Sequence, residues 1–228
     1  MMHADYAEYI QAPITPYRQS ILDFLARHID GGDICDLGSH SVGHYWAMAY
    51  IAKAQSWSCL EISEQARTLQ QETVERLDAD YLLDKYDTTL SYLNVTDARA
   101  LAYDIVDKLD DIAAFDFLHD QGEGQYDTVI AIESLEIVET ETAYAQAFHA
   151  ARSLLKEGGQ LLAVILPYAD RNSEIECLCQ AGLEGLLNPD RRQTENAVIS
   201  AGFQDYRIET YTTHMDNYPD AYLLRAIS

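Results

Sequence analysis

The chain is short of basic residues, has few cysteines and contains no long apolar run. Only 15 of its 228 residues are Lys or Arg, against 38 Asp or Glu, for a formal charge of −23. A surface of that sign repels phosphate backbones and anionic lipid, which argues against a nucleic-acid or membrane partner and suits a small cationic or neutral substrate. Plain solubility is read as the reason for most of this charge. No apolar run approaches the roughly 20 residues of a membrane span. The opening residues, Met1 to Tyr6, carry no basic segment followed by an apolar one, so no signal peptide is expected. Of the four cysteines, Cys177 and Cys179 stand too close for an easy disulfide, while Cys35 and Cys59 fall in apolar runs expected to be buried. No paired Cys-x-x-Cys sites suggest zinc, and no other spacing suggests a metal. Packing thiols in a reducing cytoplasm are the expectation. Repeats and low-complexity segments are also lacking.

What is present suffices for one packed α/β domain: 228 residues, of which 48% are hydrophobic. The reading turns on the stretch from Asp33 to Gly43. A short apolar run, Ile34 to Leu37 with Asp36 inside it, leads into a Gly/Ser turn at Gly38-Ser39 and then into an amphipathic run from Tyr45 to Ala54. Strand, turn and helix in that order open a nucleotide-binding βαβ unit. At Gly38 a backbone can pass close to a ligand, and a helix begun near Val42 would aim its free N–H groups there. The next apolar run ends in Glu61, where a ribose diol needs acceptors. The alternative is that Gly38 and Gly43 only turn the chain.

Further elements follow from periodicity and breakers. Residues 1–16, with Pro13 and Pro16, suit a flap, and Tyr17 to Ile29 is an amphipathic helix ended by Gly31-Gly32. Strands are expected at 34–37, 57–62, 112–118, 127–132 and 160–166. Helices are expected at 42–54, at 63–78 behind a Ser63 cap, at 96–109 behind Thr96, at 140–156, at 171–187 and at 190–201. The tyrosine-rich stretch 80–93 gives no clear period. The tail reads as two strands, 204–212 and 221–227, joined by a turn at Asp216 to Pro219. The expected fold is α/β: a single Rossmann-like doubly wound sheet, mostly parallel, with an antiparallel C-terminal edge hairpin and an N-terminal helical cover. The expected organisation is a cover and helix over 1–30 and a ligand-binding domain over 31–228.

The order of these features resembles one family. Asp36-Leu37-Gly38-Ser39, Glu61, Asp116-Phe117, the apolar strand before Glu133, the run Leu154 to Leu162 with Gly158-Gly159, and Ala201-Gly202-Phe203 before a hairpin are similar to class I S-adenosylmethionine-dependent methyltransferases. The resemblance covers nearly the whole chain and implies S-adenosyl-L-methionine as cofactor. It implies that Gly38 and Ser39 lie beside the methionine part, that Glu61 accepts the ribose hydroxyls, and that Asp116 takes the adenine amino group with Phe117 on the ring. It also places Tyr9, Tyr17, Asp36, Gly43, Tyr45, Ile62 and Ile132 among the cofactor-binding residues. In layout the chain most resembles the nicotinamide and phenylethanolamine N-methyltransferases. The long interval from Glu61 to Asp116 and the N-terminal tyrosines Tyr6, Tyr9 and Tyr17 carry that narrower likeness, as does Ser134-Leu135-Glu136-Ile137-Val138. His40 and Val42 in the turn and Pro167-Tyr168 after the fifth strand depart from it.

A small amine is therefore the expected methyl acceptor. An amine attacks only when neutral, so a carboxylate beside it can hold the ammonium and take a proton. Glu136 is the first candidate and Glu133 the second; the alternative is that both are exposed charges at the start of the following helix. Tyr6 joins them as a catalytic candidate, and Tyr6, Tyr9 and Tyr17 would close over the sulfonium. Three other readings stand beside this one. A histidine among His40, His44 and His119 would serve as base for O-methylation of a hydroxylated metabolite. A non-catalytic adenosyl-nucleotide-binding module would keep the fold alone. An NAD-dependent oxidoreductase is disfavoured because the turn lacks Gly-x-Gly-x-x-Gly.

Overall fold

The computed structural model describes residues 14–38, 44–167, 187–215 and 218–228. The expected flap, Tyr6, Tyr9, Ser39, His40, Gly43, the helix at 171–187 with Cys177 and Cys179, and most of the tail turn lie outside the described residues. The chain divides into two compact units, Met1–Phe115 and Asp116–Ser228.

In the first unit, α1 (Pro16–His28) is followed by β1 (Asp33–Leu37), α2 (His44–Ala47), β2 (Ser56–Leu60), α3 (Glu64–Arg76), α4 (Ala79–Tyr92), α5 (Ala98–Asp107) and β3 (Leu109–Ala113). The Thr15 hydroxyl accepts the Arg18 N–H at 3.2 Å and Pro16 opens the first turn, so α1 starts where its orphan donors are met. Its face of Ile21, Leu22 and Leu25 is fully buried. Ser63, Asp78 and Asp97 cap α3, α4 and α5 in the same way. The cap of α5 is thus Asp97, one residue beyond the expected Thr96. The three strands are parallel in the order β3-β2-β1, with Asp36 opposite Cys59 and Leu37 opposite Leu60.

In the second unit, β4 (Tyr126–Ile132), α6 (Glu141–Leu154), β5 (Leu155–Ile165), α7 (Arg191–Ser200), β6 (Asp205–Met215) and β7 (Tyr218–Ile227) follow in turn. Strand β5 runs parallel to β4, β7 antiparallel to β5, and β6 antiparallel to β7. Val129 to Ala131 and Leu161 to Ile165 are fully buried, as a strand covered on both faces requires. Helix α6 turns Tyr144, Ala147, Phe148 and Ala151 into this core, the i, i+3, i+4, i+7 stripe of an amphipathic helix. Burying Phe148 alone contributes ~1.5–3 kcal/mol.

Three parallel strands in the first unit, and in the second a parallel pair followed by antiparallel C-terminal strands, make the expected Rossmann-like fold class. Three local expectations are corrected. Among the described residues of the run 42–54, only His44–Ala47 is regular α-helix; beyond it i−3 and i−4 bonds are mixed, from Ala49 N–H to the Trp46 carbonyl through to Ala54 N–H to the Tyr50 carbonyl. The third strand is at Leu109–Ala113 rather than 112–118, because pairing with β2 holds it there although two of its five residues are exposed aspartates. The stretch 80–93 is helix α4, kinked at Tyr86 (φ −127°, ψ 17°), with Leu82, Tyr86 and Leu90 buried. No helix among the described residues is long and apolar enough to cross a membrane.

Candidate functional site

At the carboxyl end of β1, Asp36 is almost fully buried, with 1% exposure. Its Oδ2 accepts the Trp46 indole N–H at 2.8 Å and the Tyr50 hydroxyl at 3.4 Å. Its Oδ1 is buried with no partner among the described residues. Burial pushes the Asp36 carboxyl from 3.8 up to about 7; the Trp46 and Tyr50 donors act against that rise and the nearby negative charge of Glu61 adds to it. Next to it Gly38 adopts φ +69°, a left-handed conformation open to glycine without a Cβ clash, and its N–H donates to the Leu60 carbonyl at 2.7 Å. The turn begins as the sequence implies, and the helix start expected near Val42 lies outside the described residues.

Glu61, just past β2, is also buried. Its Oε1 accepts the Ser63 N–H at 2.9 Å, and its backbone carbonyl accepts from the Arg67 guanidinium at 2.7 Å. The carboxylate is therefore held in one orientation at the same strand edge as Asp36. The neighbouring Ile62 is 55% exposed. Tyr17 and Tyr45 are buried, and the Arg18 guanidinium lies 5.1 Å from the Tyr45 ring centroid, a cation–π contact. The first unit thus brings Asp36, Gly38 and Glu61 to one edge of its parallel strands.

In the second unit Asp116 makes a local turn. Its Oδ1 accepts the Leu118 N–H at 2.9 Å and its Oδ2 meets His119 Nδ1 at 2.7 Å. Partial burial would raise its pKa, but the Leu118 N–H and His119 prevail and hold it below the usual carboxylate range. Phe117 is half-buried beside it. Both Asp116 oxygens already accept locally, so a further donor would take a second lone pair.

Strand β4 ends in buried Ile132 and then Glu133, a non-glycine residue at φ +53° whose N–H donates to the Val164 carbonyl at 2.8 Å. Such strain in a side-chain-bearing residue persists only where its surroundings impose it. Three residues on, Glu136 is 2% exposed, which removes the reading of it as a surface charge. Its Oε1 accepts the Leu166 N–H, beyond the end of β5, at 2.8 Å, and its Oε2 is buried with no partner among the described residues. Burial pushes Glu136 from 4.5 up to about 8, against its bonds to the Leu166 and own backbone N–H groups, with Glu133 adding to the rise. No group of three or more His, Cys, Asp or Glu among the described residues is arranged to hold a metal ion.

Trp46 and Tyr50 escaped sequence reasoning as site residues. Their i, i+4 spacing reads as core, and nothing in it says that both donors turn to one carboxylate. The only available signal was that a buried Asp needs donors.

No family model and no curated protein matches the sequence. Solved structures do match in fold. A possible histamine N-methyltransferase from Thermotoga maritima superposes with TM-score 0.58 at 11% identity, over 98% of this chain and 93% of that one. Phosphoethanolamine N-methyltransferase 2 from Haemonchus contortus, solved with S-adenosyl-L-methionine, gives 0.61 at 15% identity, over 98% of this chain and 56% of that one. The CurJ carbon methyltransferase gives 0.63 at 12% identity, over 98% and 57%. The chain has the fold of class I S-adenosylmethionine-dependent methyltransferases. These likenesses reach proteins acting on nitrogen and on carbon, so the fold leaves the acceptor atom open.

Proposed function

We propose that the chain binds S-adenosyl-L-methionine and transfers its methyl group to a small molecule, an amine nitrogen before an oxygen. The observation that carries this reading is Glu136: a buried carboxyl with one oxygen held by Leu166 and the other open, three residues past a strained Glu133. The residues at the β1 and β2 ends suit the cofactor, since Asp36 offers an unpartnered buried oxygen and Glu61 a buried, oriented carboxylate. Gly38 with Ser39 and Gly43 takes the methionine part, Glu61 with Ile62 the ribose, and Asp116 with Phe117 the adenine. Tyr45 and Ile132 line the cofactor, and Tyr6, Tyr9 and Tyr17 belong to a cover formed from residues 1–30 over a domain of 31–228.

The cofactor supplies a methyl carbon made electrophilic by its sulfonium. The protein's part is to align the amine and relieve it of a proton, and alignment supplies roughly 7–11 kcal/mol of the barrier. Proton removal is where Glu136 matters. An alkylammonium has a pKa of about 10.4, so passing its proton to a glutamate of 4.5 would cost ~8 kcal/mol. With Glu136 at about 8 the same transfer costs ~3 kcal/mol, and it is open to the ionised form of Glu136, which becomes the major one above about pH 8. Held by Gly38 and Glu61, the cofactor would supply the methyl carbon to the amine lone pair, with the C–S electrons left on sulfur. Glu133, the second candidate, adds negative charge that favours a cationic substrate.

Mixing the protein with S-adenosylmethionine and panels of small amines and phenols, with products read by mass spectrometry, tests the proposal. Methylated amine together with S-adenosylhomocysteine is expected. Methylation confined to phenols would move the assignment to oxygen, and cofactor binding without turnover on any acceptor would favour the non-catalytic module.

A further inference from the structure

Helix α5 is apolar on two faces and buries only one of them. Leu101, Ala102 and Ile105 are buried in the first unit, while Tyr103 is 67% and Val106 44% exposed. A helix apolar around most of its circumference is normally covered on all sides. Beside the open face lies a hollow of about 380 Å³ between α5 and the start of α4, lined by Leu77, Ala79, Ala102, Tyr103 and Val106. Leu83, one turn beyond Ala79 on α4, is exposed as well. Three of the five large apolar side chains exposed among the described residues therefore fall around one hollow, and such a patch marks an interaction surface.

Charge selects the occupant. Residues 72–111, which build the hollow, hold eleven acids against four bases, a formal −7 over 40 residues where the whole chain has −23 over 228. Two of those bases, Lys85 and Lys108, already meet Asp84 at 2.7 Å and Asp104 at 3.4 Å. Asp78 and Asp80 stand in the wall of the hollow itself, with Arg99 as its one base. The two long stretches of this chain outside the described residues have the same sign. Residues 1–13 hold Asp5 and Glu8 with no Lys or Arg, and 168–186 hold four acids against Arg171 alone. A second copy, also at −23, would be repelled.

We propose that this hollow is a docking site for a basic amphipathic helix of another protein. The apolar side chains of that helix enter between α4 and α5 against Tyr103 and Val106. Lysines or arginines along its edges meet Asp78, Asp80 and the acids around them. Apolar contact supplies the affinity, and charge supplies the choice of partner and the speed of encounter.

Fluorescence anisotropy of the full chain with labelled leucine–lysine peptides of about 18 residues tests this, at about 150 mM salt so that bare charge attraction is screened. One peptide spaces its leucines at i, i+3, i+4 and i+7; the other has the same composition in an order with no apolar face. The first should bind about tenfold or more tightly than the second. Tyr103→Ser combined with Val106→Ser should weaken the first peptide about tenfold and so abolish the preference, because an aromatic anchor carries much of an interface's energy. Both side chains are exposed, so the thermal midpoint should hold; if the double variant does not fold, Leu83→Ser should give a smaller loss of the same preference. Ile199→Ser, at an exposed apolar residue of α7, should leave it unchanged. Equal binding of the two peptides, no binding of either, or an undiminished preference in the variants overturns the proposal. A dimer of the chain alone in sedimentation, lost in the Tyr103→Ser, Val106→Ser variant, would assign the hollow to a second copy and also overturn it.

Discussion

Replacing Glu136 by Gln should stabilise the protein above neutral pH while stopping its chemistry. The group is an acid whose folded pKa is raised, from 4.5 to about 8, so the native state keeps its proton where the unfolded chain has lost it. Below about pH 4.5 both states are protonated and the carboxyl costs nothing. From there to about pH 8 the unfolded state gains by ionising, so stability falls as pH rises, and above 8 the loss is complete. The shift of about 3.5 units corresponds to a penalty on the order of 5 kcal/mol. A buried side chain receives no surface screening, although relaxation of the site makes this figure a ceiling. Gln keeps the oxygen that accepts the Leu166 N–H and cannot ionise. Urea unfolding of both proteins at pH 4.5, 6, 7 and 9 should therefore show curves that nearly coincide at pH 4.5, with the variant progressively more stable toward pH 9. Turnover on an amine substrate should fall at least a hundredfold, with S-adenosylhomocysteine affinity unchanged. A stability difference independent of pH, or a variant weaker than wild type at pH 9, would refute the picture of a buried neutral acid. Unchanged turnover would leave Glu136 as no more than a bond between the ends of β4 and β5.

Three other substitutions probe separate claims. Glu61→Ala should weaken S-adenosylhomocysteine binding about tenfold or more by calorimetry, the loss of ~1.4 kcal/mol or more in paired hydrogen bonds, and normal binding would take Glu61 out of the cofactor's reach. Gly38→Ala forces a Cβ onto a residue at φ +69° and should cost ~1–2 kcal/mol in urea unfolding; an unchanged midpoint would mean the turn relaxes at no cost. Tyr144→Phe removes a buried hydroxyl 3.2 Å from Thr194 Oγ1, a bond between α6 and α7. Thr194 still donates to the Asp190 carbonyl at 3.0 Å, so the loss should be ~1 kcal/mol by thermal unfolding with activity intact. Reduced turnover in that variant would tie Tyr144 to the chemistry.

The amino-acid order alone determined the alternation of strands and helices and the acids at the strand ends. Buried parallel strands are continuous apolar runs, and 127–132 and the body of 160–166 needed no tertiary information to be found, although β5 already starts at Leu155, within the expected helix. The cap at Ser63 is a local bond, and it too was legible, whereas the Asp190–Gln193 capping box emerged only in the structure. Helix α4 was not. Tyrosine is both apolar and polar, so the Leu82, Tyr86 and Leu90 face is blurred by Tyr81 and Tyr92, and the kink at Tyr86 breaks its period. Strand β3 was misplaced because two of its five residues are aspartates and only pairing with β2 sets its register.

Burial was the larger thing that only the tertiary structure decided. A carboxylate in a sequence is a charge, and whether it stays one depends on the water around it. Asp36 and Glu136 look no different in composition from the 36 other acids, since Asp and Glu total 38. Folding strips both of solvent, gives each a partner for one oxygen only, and so lifts their proton affinities into the neutral range. Neither that burial nor the donors that work against it, the Trp46 N–H at Asp36 and the Leu166 N–H at Glu136, is encoded in a local pattern.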